Sequence, residues 1–436
     1  LNLGGWGRFP RIDTTLAQLR DTRDARGILL SRASLIARGN GRSYGDAALN
    51  DRFVLATPRC GRILDFDPAS GRITCEAGLL LADLLTFAVP RGFFPPVTPG
   101  TKFVTIGGMI AADVHGKNHH VAGTFGRHLE SLLLLLADGS TRLCMPRQND
   151  QIFEATCGGM GLTGIILEAT FRLLAIETPA IRQETLVARD FEEAADLCEA
   201  SSGWTYSVAW IDCLARGSRL GRSLVYRGEH ARRDELIAGA PAGRRRAARR
   251  VPFDLPGFAL NRWSMRAFNG MYYRKGRAGS ALVDYDSYFY PLDGVLEWNR
   301  IYGKTGFAQY QCVVPMAESR RAMRAILECV AASGRGSFLA VLKLFGPEGD
   351  GLISFPMEGY TLTLDFPVDA DTLNLMLALD AIVADHGGRL YLAKDSRAGA
   401  AMMRRGYPRL ARFQDVRRAV DPTGRFASLQ SRRLGL

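Results

Sequence analysis

Arg38-Gly39-Asn40-Gly41-Arg42-Ser43-Tyr44-Gly45-Asp46 decides how this chain is to be read. Glycine has no Cβ, so a loop rich in it lets backbone N–H groups approach and surround a phosphate. The segment is not a G-x-G-x-x-G dinucleotide fingerprint: the third glycine's slot is Tyr44, and no helical pattern follows. No Walker A loop is present either. Three more glycine-rich turns follow, at Pro99-Gly100-Thr101, at Thr105-Ile106-Gly107-Gly108 and at Gly158 to Gly164. Four such turns in one half of a chain, with few acids nearby, favour a large pyrophosphate cofactor.

Outward from these loops the first half reads as short strands joined by tight turns. Arg62–Phe66 and Arg72–Glu76 flank Asp67-Pro68-Ala69-Ser70-Gly71 as a strand pair, Leu132–Ala137 closes on Asp138-Gly139, and Ile165–Leu173 is another strand. Ala33–Ala37 runs into the first loop, and Leu79–Val89 is helical. Beyond about residue 176 the pattern changes. Apolar residues at helical spacing mark Phe191–Ala200, Glu318–Ala332 and Ala370–His386. Alternation marks half-buried strands at Tyr285–Tyr290, Ala308–Val314, Phe338–Phe345 and Tyr360–Phe366. The expected fold class is α+β, with a glycine-rich domain over 1–176 and a substrate domain with an antiparallel sheet over 177–388.

The chain has 436 residues, enough for two or three domains, and a formal net charge of +12. A hydrophobic fraction of 47% excludes wholesale disorder. The longest runs free of Asp, Glu, Lys and Arg are thirteen residues, Ala155–Leu167 and Thr305–Ala317. A membrane-spanning helix needs about 20 apolar residues, so none is expected. Leu1 to Trp6 shows neither the charged start nor the apolar core of a signal peptide. Charge is concentrated: Arg232 to Arg277 holds twelve Lys/Arg against three acids, a net +9. Pro and Gly interrupt periodicity there, which suggests a mobile basic excursion over 232–277 suited to an anionic surface or substrate. Nothing like a nucleic-acid-binding signature accompanies the arginines, so no nucleic-acid partner is expected.

Eight cysteines are scattered with no C-x-x-C pair, so they read as reduced core thiols in a reducing compartment. His115-Gly116-Lys117-Asn118-His119-His120 invites a metal reading, yet Gly116 argues against a helix and no acidic cluster accompanies it; no metal is expected. Gly387 to Arg397 is a strand running into Lys394-Asp395-Ser396, an unusual place for a solvated lysine. A surface ion pair between Lys394 and Asp395 is the plainer alternative.

The first loop, taken with the run from Pro99 to His120, resembles the FAD-binding domain of the vanillyl-alcohol-oxidase/p-cresol-methylhydroxylase flavoprotein superfamily. Within it, His115–His120, Tyr290-Pro291-Leu292-Asp293, Lys343-Leu344-Phe345-Gly346, and Leu390–Arg397 followed by Val416–Pro422 resemble the decaprenylphosphoryl-β-D-ribose 2′-oxidase family. The resemblance implies a noncovalent FAD and a C-terminal segment, 389–436, that returns to complete the FAD-binding domain. Arg38, Gly39, Asn40, Gly41, Arg42, Ser43, Tyr44 and Gly45, with Gly100, Thr101, Thr105, Ile106, Gly107 and Gly108, would wrap the pyrophosphate and ribityl chain. Ala112, Asp113, Val114 and His115 would pass the flavin ring, Gly164 and Ile165 the adenine side, and Tyr391 would also touch the cofactor. Relatives with covalent flavin carry His in the first loop, where this chain has Arg42.

For substrate, the resemblance points to His115, Lys117, Tyr290, Gln309, Gln311, Lys343 and Lys394 around the flavin. Alcohol oxidation needs a base for the hydroxyl proton, and a lysine among other cations has a lowered pKa suited to that. Lys394 and His115 are the candidate bases, with Lys394 the choice. Well-known members carry a cysteine in a strand ending Asp-Phe-Pro; here Thr363 takes that slot in Thr361 to Pro367. The activity implied is FAD-dependent oxidation of the 2′-hydroxyl of a polyprenyl-phosphoryl-β-D-ribose, the first half of epimerisation to the arabinose lipid. An NAD(P)H-dependent short-chain reductase would act on the keto product. The alternative is a soluble sugar or aldonolactone oxidase using O₂. The expected location is cytoplasmic and peripheral at the inner membrane, with a periplasmic one left open.

Overall fold

The computed structural model describes residues 1–236, 249–257 and 260–436. Arg244, Arg245 and Arg246, the centre of the basic run, therefore lie outside the described residues.

Three sheets position the site. A parallel sheet has the strand Phe53–Ala56 between Thr15–Gln18 and Ile36–Arg38, and the first glycine loop leaves the end of the last of these. An antiparallel sheet orders Thr141–Cys144, Leu129–Leu135, Ile165–Arg172, Arg72–Glu76 and Ile63–Asp67. An eight-stranded antiparallel sheet runs Gly279–Asp284, Ala180–Ala188, Ser223–His230, Tyr206–Ile211, Val341–Phe345, Gly359–Pro367, Phe307–Pro315 and Arg389–Leu390.

In the large sheet, register explains function. Gln309 pairs with Asp365, Gln311 with Thr363 and Lys343 with Thr361. Successive side chains alternate between faces, so these polar residues share one face. Their even-numbered neighbours, among them Cys312, Val314, Leu342, Leu362 and Leu364, are fully buried in the core on the other. That face packs against the helix Met316–Ser333, whose Ala322, Met323, Ile326, Leu327 and Val330 recur at helical spacing and are fully buried. Each buried Leu or Ile there contributes on the order of 2 kcal/mol of transfer free energy.

The C-terminal residues return to the start of the chain. Arg389–Leu390 pairs with Val313 and Cys312 in the large sheet. Beyond it, Tyr44 donates its backbone N–H to Ala393, Leu35 bridges Phe426, and Arg433 pairs with both Asp46 at 2.7 Å and Asp395 at 2.9 Å. All eight cysteines are free thiols.

Two local readings change. Tyr285–Phe289 is a short helix, not a strand, because Asp284 caps it by accepting from the Ser287 N–H at 2.9 Å. The alternation of its aromatic residues had suggested a period of two, and the cap overrides it. Within the basic excursion, Arg262–Lys275 is a fourteen-residue helix. Asn261 caps it through the N–H groups of Trp263 and Ser264, and Met265 and Asn269 anchor its buried side, while Arg249–Arg250 forms a short parallel pair with Val295–Leu296.

Candidate active site

The first loop begins where the strand Ile36–Arg38 ends. The backbone N–H groups of Gly39, Asn40, Gly41, Arg42 and Ser43 donate to no partner among the described residues. Five consecutive free donors beside a cleft form an anion nest. Glycine is required at two of these positions for separate reasons. Gly41 has φ +64°, and a Cβ on Gly39 would lie 2.3 Å from Thr105 Oγ1. Arg38 does not enter the cleft; it lies beneath the loop, donating to the Gly4 carbonyl at 2.8 Å. Arg42 lies 4.0 Å over the Trp6 ring and 5.2 Å over Phe103, with its buried Nε unpartnered among the described residues. Burial lowers its pKa.

The cleft beside this loop has a volume of about 380 Å³. Gly39 to Tyr44, Gly100, Thr101, Thr105, Gly108, Ala112, Val114, His115 and Tyr391 line it. The unpaired amide nest, the glycine approach and the adjacent guanidinium suit a dinucleotide pyrophosphate, so the residues present fit FAD. Several named residues stand behind the lining. Gly45 lets the chain pass against Asp395, whose carbonyl would be 2.1 Å from a Cβ there, and Gly107 packs on Ala77. Ile106 is fully buried, and Asp113 is buried, accepting from the Gly126 N–H and Ser354 Oγ. Gly164 and Ile165 belong to the core around Leu134 and Leu135 and do not reach the cleft.

The polar face of the large sheet forms the opposite wall. Gln309, Gln311, Lys343 and Thr363 line the cleft, joined by Lys117 and Lys394. Tyr290 is 2% exposed and shares a 2.5 Å hydrogen bond with Thr98, so it supports the wall from behind. Lys394 sits at the turn after Arg389–Leu390, its Nζ 3.7 Å from the Tyr44 ring centroid. The alternative ion pair with Asp395 does not form, since that carboxylate is taken by Arg433.

Burial sets the protonation chemistry. It lowers Lys117 to about 7 and Lys343 to about 8. Lys394 is lowered as well, by burial and by Lys343, against the opposing pull of Asp365. Lys117 donates to the Tyr288 carbonyl and lies 4.0 Å over that residue's ring. His115 is held well below the usual imidazole range by burial and by Lys343, His119 and Lys394. The Gln311 amide donates to His115 Nε2 at 3.1 Å, which puts the ring proton of the neutral imidazole on Nδ1. The neighbouring imidazoles diverge: His119 Nδ1 accepts from the Gly346 N–H, and His120 Nε2 meets the Trp204 carbonyl.

Sequence reasoning missed Asp365. It is fully buried on the same face as Gln309, whose amide donates to one of its oxygens, and the other oxygen has no partner among the described residues. Desolvation raises its pKa, and the Gln309 bond and Lys394 oppose that. An acid inside the otherwise uncharged run Tyr360 to Pro367 was the available signal. Missed too was an aromatic mouth of Trp210, Tyr226 and Tyr272, which no spacing in the chain connects.

Comparison with known proteins agrees with this geometry. Residues 29–144 match the family model of the FAD binding domain, and residues 361–434 match that of D-arabinono-1,4-lactone oxidase. The chain is 39% identical to a decaprenylphosphoryl-β-D-ribose oxidase of Mycolicibacterium smegmatis, over 100% of this chain and 97% of that protein. It is 31% identical to mouse L-gulonolactone oxidase, but over 34% of this chain and 35% of that one. Among solved structures, Physcomitrella patens BBE-like 1 superposes with a TM-score of 0.68 at 12% identity, covering 94% of this chain and 89% of that one, which shows a shared fold.

Proposed function

Because the chain belongs to the decaprenylphosphoryl-β-D-ribose oxidase family of FAD-dependent oxidoreductases, we propose that it oxidises the 2′-hydroxyl of a polyprenyl-phosphoryl-β-D-ribose to the 2′-ketone. The observation that carries this is the convergence of three half-buried lysines and a neutral, buried histidine on one wall of a cleft whose other wall is a phosphate-type glycine loop. FAD, when bound, supplies the hydride acceptor.

The protein's own residues do the rest. Lys394, with its proton affinity reduced by burial, takes the hydroxyl proton onto Nζ. Lys117 and Lys343 face the anionic end of the substrate. An incoming phosphate raises their pKa again, so they bind it as ammonium groups. Gln309 and Gln311 offer amide groups to sugar hydroxyls, and Gln311 also fixes the His115 ring. Trp210, Tyr226 and Tyr272 give the lipid side an apolar, water-excluding entrance. The ketone then passes to an NAD(P)H-dependent short-chain reductase, which completes inversion at that carbon. The enzyme works at a membrane periphery.

The test is anaerobic mixing with synthetic polyprenyl-phosphoryl-ribose while flavin absorbance is followed. Rapid bleaching is expected with the lipid and none with free ribose. No bleaching with the lipid would overturn the reading. A second reading, oxidation of a free aldonolactone with peroxide release, is favoured by the match over residues 361–434. It has no use for three lysines gathered around one cleft, and rapid peroxide formation from lactones would establish it.

A further inference from the structure

The helix Arg262–Lys275 carries a surface that the proposed chemistry alone does not use. From Arg262 to Arg277 there are five basic residues and no acid. With Met265 and Asn269 turned into the protein, a 100° step per residue puts Trp263, Ala267 and Met271 together on the outer face. Trp263 is 67% exposed and Met271 48%, an apolar stripe with Arg262 and Arg266 on one flank and Arg274 and Lys275 at the end. A soluble helix does not gain by showing Trp and Met to water.

The stripe is continuous with the cleft. On its inner flank Phe268 stacks on Tyr272, and Tyr272 packs 4.6 Å from Trp210 where both line the mouth. Across the mouth, Arg249–Arg250 pairs with Val295–Leu296, which also line the cleft, and Phe253 beyond it is 62% exposed. Two basic segments with exposed aromatics thus border one opening.

We propose that this rim is the protein's docking surface for an anionic lipid bilayer, with Trp263 and Met271 in the interface and the cleft mouth facing the membrane. The inference rests on the substrate reading above and names the partner that delivers it. Charge complementarity selects the occupant: basic flanks around an apolar stripe are the pattern of an interfacial helix, with tryptophan at headgroup depth. No helix among the described residues is long and apolar enough to cross a membrane, so the contact is peripheral. An isoprenoid chain could then pass along Phe268 and Tyr272 into the cleft while its phosphate enters ahead of it.

The experiment uses the FAD-loaded full chain in flotation with vesicles of pure phosphatidylcholine or of equal parts phosphatidylcholine and phosphatidylglycerol. Binding to the anionic vesicles alone is expected, falling about fivefold for each of Arg262→Gln, Arg266→Gln, Arg274→Gln and Lys275→Gln. Trp263→Ser with Met271→Ser should cut binding about tenfold or more, with flavin content intact. Turnover of a short-chain, water-soluble phosphoryl-ribose should be unchanged in these variants, while turnover of vesicle-borne long-chain lipid falls with binding. Equal binding to both vesicle types, or variants that float like the parent chain, would overturn the proposal. So would a concentration-dependent dimer abolished by Trp263→Ser/Met271→Ser, which would assign the stripe to a second copy. Failure of the parent chain to oxidise either lipid would strike the substrate reading instead, and the flotation result would still decide the docking surface.

Discussion

The Lys394 ammonium lies 3.7 Å from the centre of the Tyr44 ring, joining the turn after the last strand to the first glycine loop. The ring face stabilises a cation, while burial and Lys343 disfavour one. Asp365 tips the balance back toward charge. Tyr44 of the first glycine loop, Lys343 and the buried Asp365 therefore all bear on the protonation of Lys394.

Lys394→Ala should reduce turnover by roughly 10²–10⁴-fold, the usual contribution of a positioned general base. Flavin content, read from the visible absorbance of the purified protein, should be retained. Unchanged turnover would move the role to His115.

Asp365→Asn should shift the pH profile. The carboxylate raises the pKa of Lys394, whereas Lys343 and burial lower it, and His115 and Tyr44 face the same ammonium. Without the anion the free-base form persists to lower pH. The rising limb of kcat/KM against pH should move down by about one unit. A lower rate with an unmoved limb would mean that Asp365 serves only packing.

Thr363 lines the cleft from the strand Gly359–Pro367 and offers no thiol. Inhibitors that bond covalently to the family's cysteine should leave no adduct in the mass spectrum of the parent chain. Thr363→Cys should acquire one, since Cys312, on the neighbouring strand, is fully buried on the opposite face.

Gly45→Ala and Gly100→Ala should fail differently. A Cβ at Gly45 meets the Asp395 carbonyl at 2.1 Å, which something must move to relieve, so a loss of about 3 kcal/mol in urea unfolding is expected. A Cβ at Gly100 meets nothing within 4 Å, yet it projects beside the cleft. Its melting temperature should stay within a degree or two of the parent's apo form while flavin content falls.

Acid should unfold the protein through its histidines. His119 is lowered to about 3 by burial and nearby cations, and accepts from the Gly346 N–H in its neutral form. The unfolded state takes up that proton first, near pH 6.5. Stability is therefore full above pH 6.5, falls as pH drops through that value, and levels off near 3. The slope is about 1.4 kcal/mol per pH unit for each such histidine. His115 and His230 add to it in the same direction. Denaturant midpoints at pH 7 and 5 measure it, and His119→Gln should make the difference smaller by one histidine's share, leaving that of His115 and His230.

Part of the cleft lining was legible because it is local. Glycine loops announce themselves by composition, whereas Lys343, Thr363, Gln309 and Gln311 were singled out by the family resemblance; alternation marks the strands that carry them and does not distinguish them. Period two also put Asp365 on their face, but a lone acid inside an apolar strand has no partner visible in sequence. Its partners, Gln309 and Lys394, come from other elements. The helix Arg262–Lys275 was masked by its own composition: Gly270 and dense charge weaken the apolar period, and the decisive cap, Asn261, acts through geometry. At Gly164 and Ile165 the glycine turn packs against Leu134 and Leu135 in the core, a contact that composition alone does not distinguish from a cofactor loop.

Arg433 and Asp46, whose ion pair helps hold the C-terminal return against the first loop, are 387 residues apart. At about 5–20 residues per second, the glycine loop leaves the ribosome roughly twenty seconds or more before its closing partners exist. Tyr391 and Lys394 arrive in that final interval. Tyr391, Ala393 and Lys394, which line the cleft, are thus made long after the glycine loop they close against, and a chain stopped short of residue 391 lacks that part of the cleft however well its N-terminal sheets have folded.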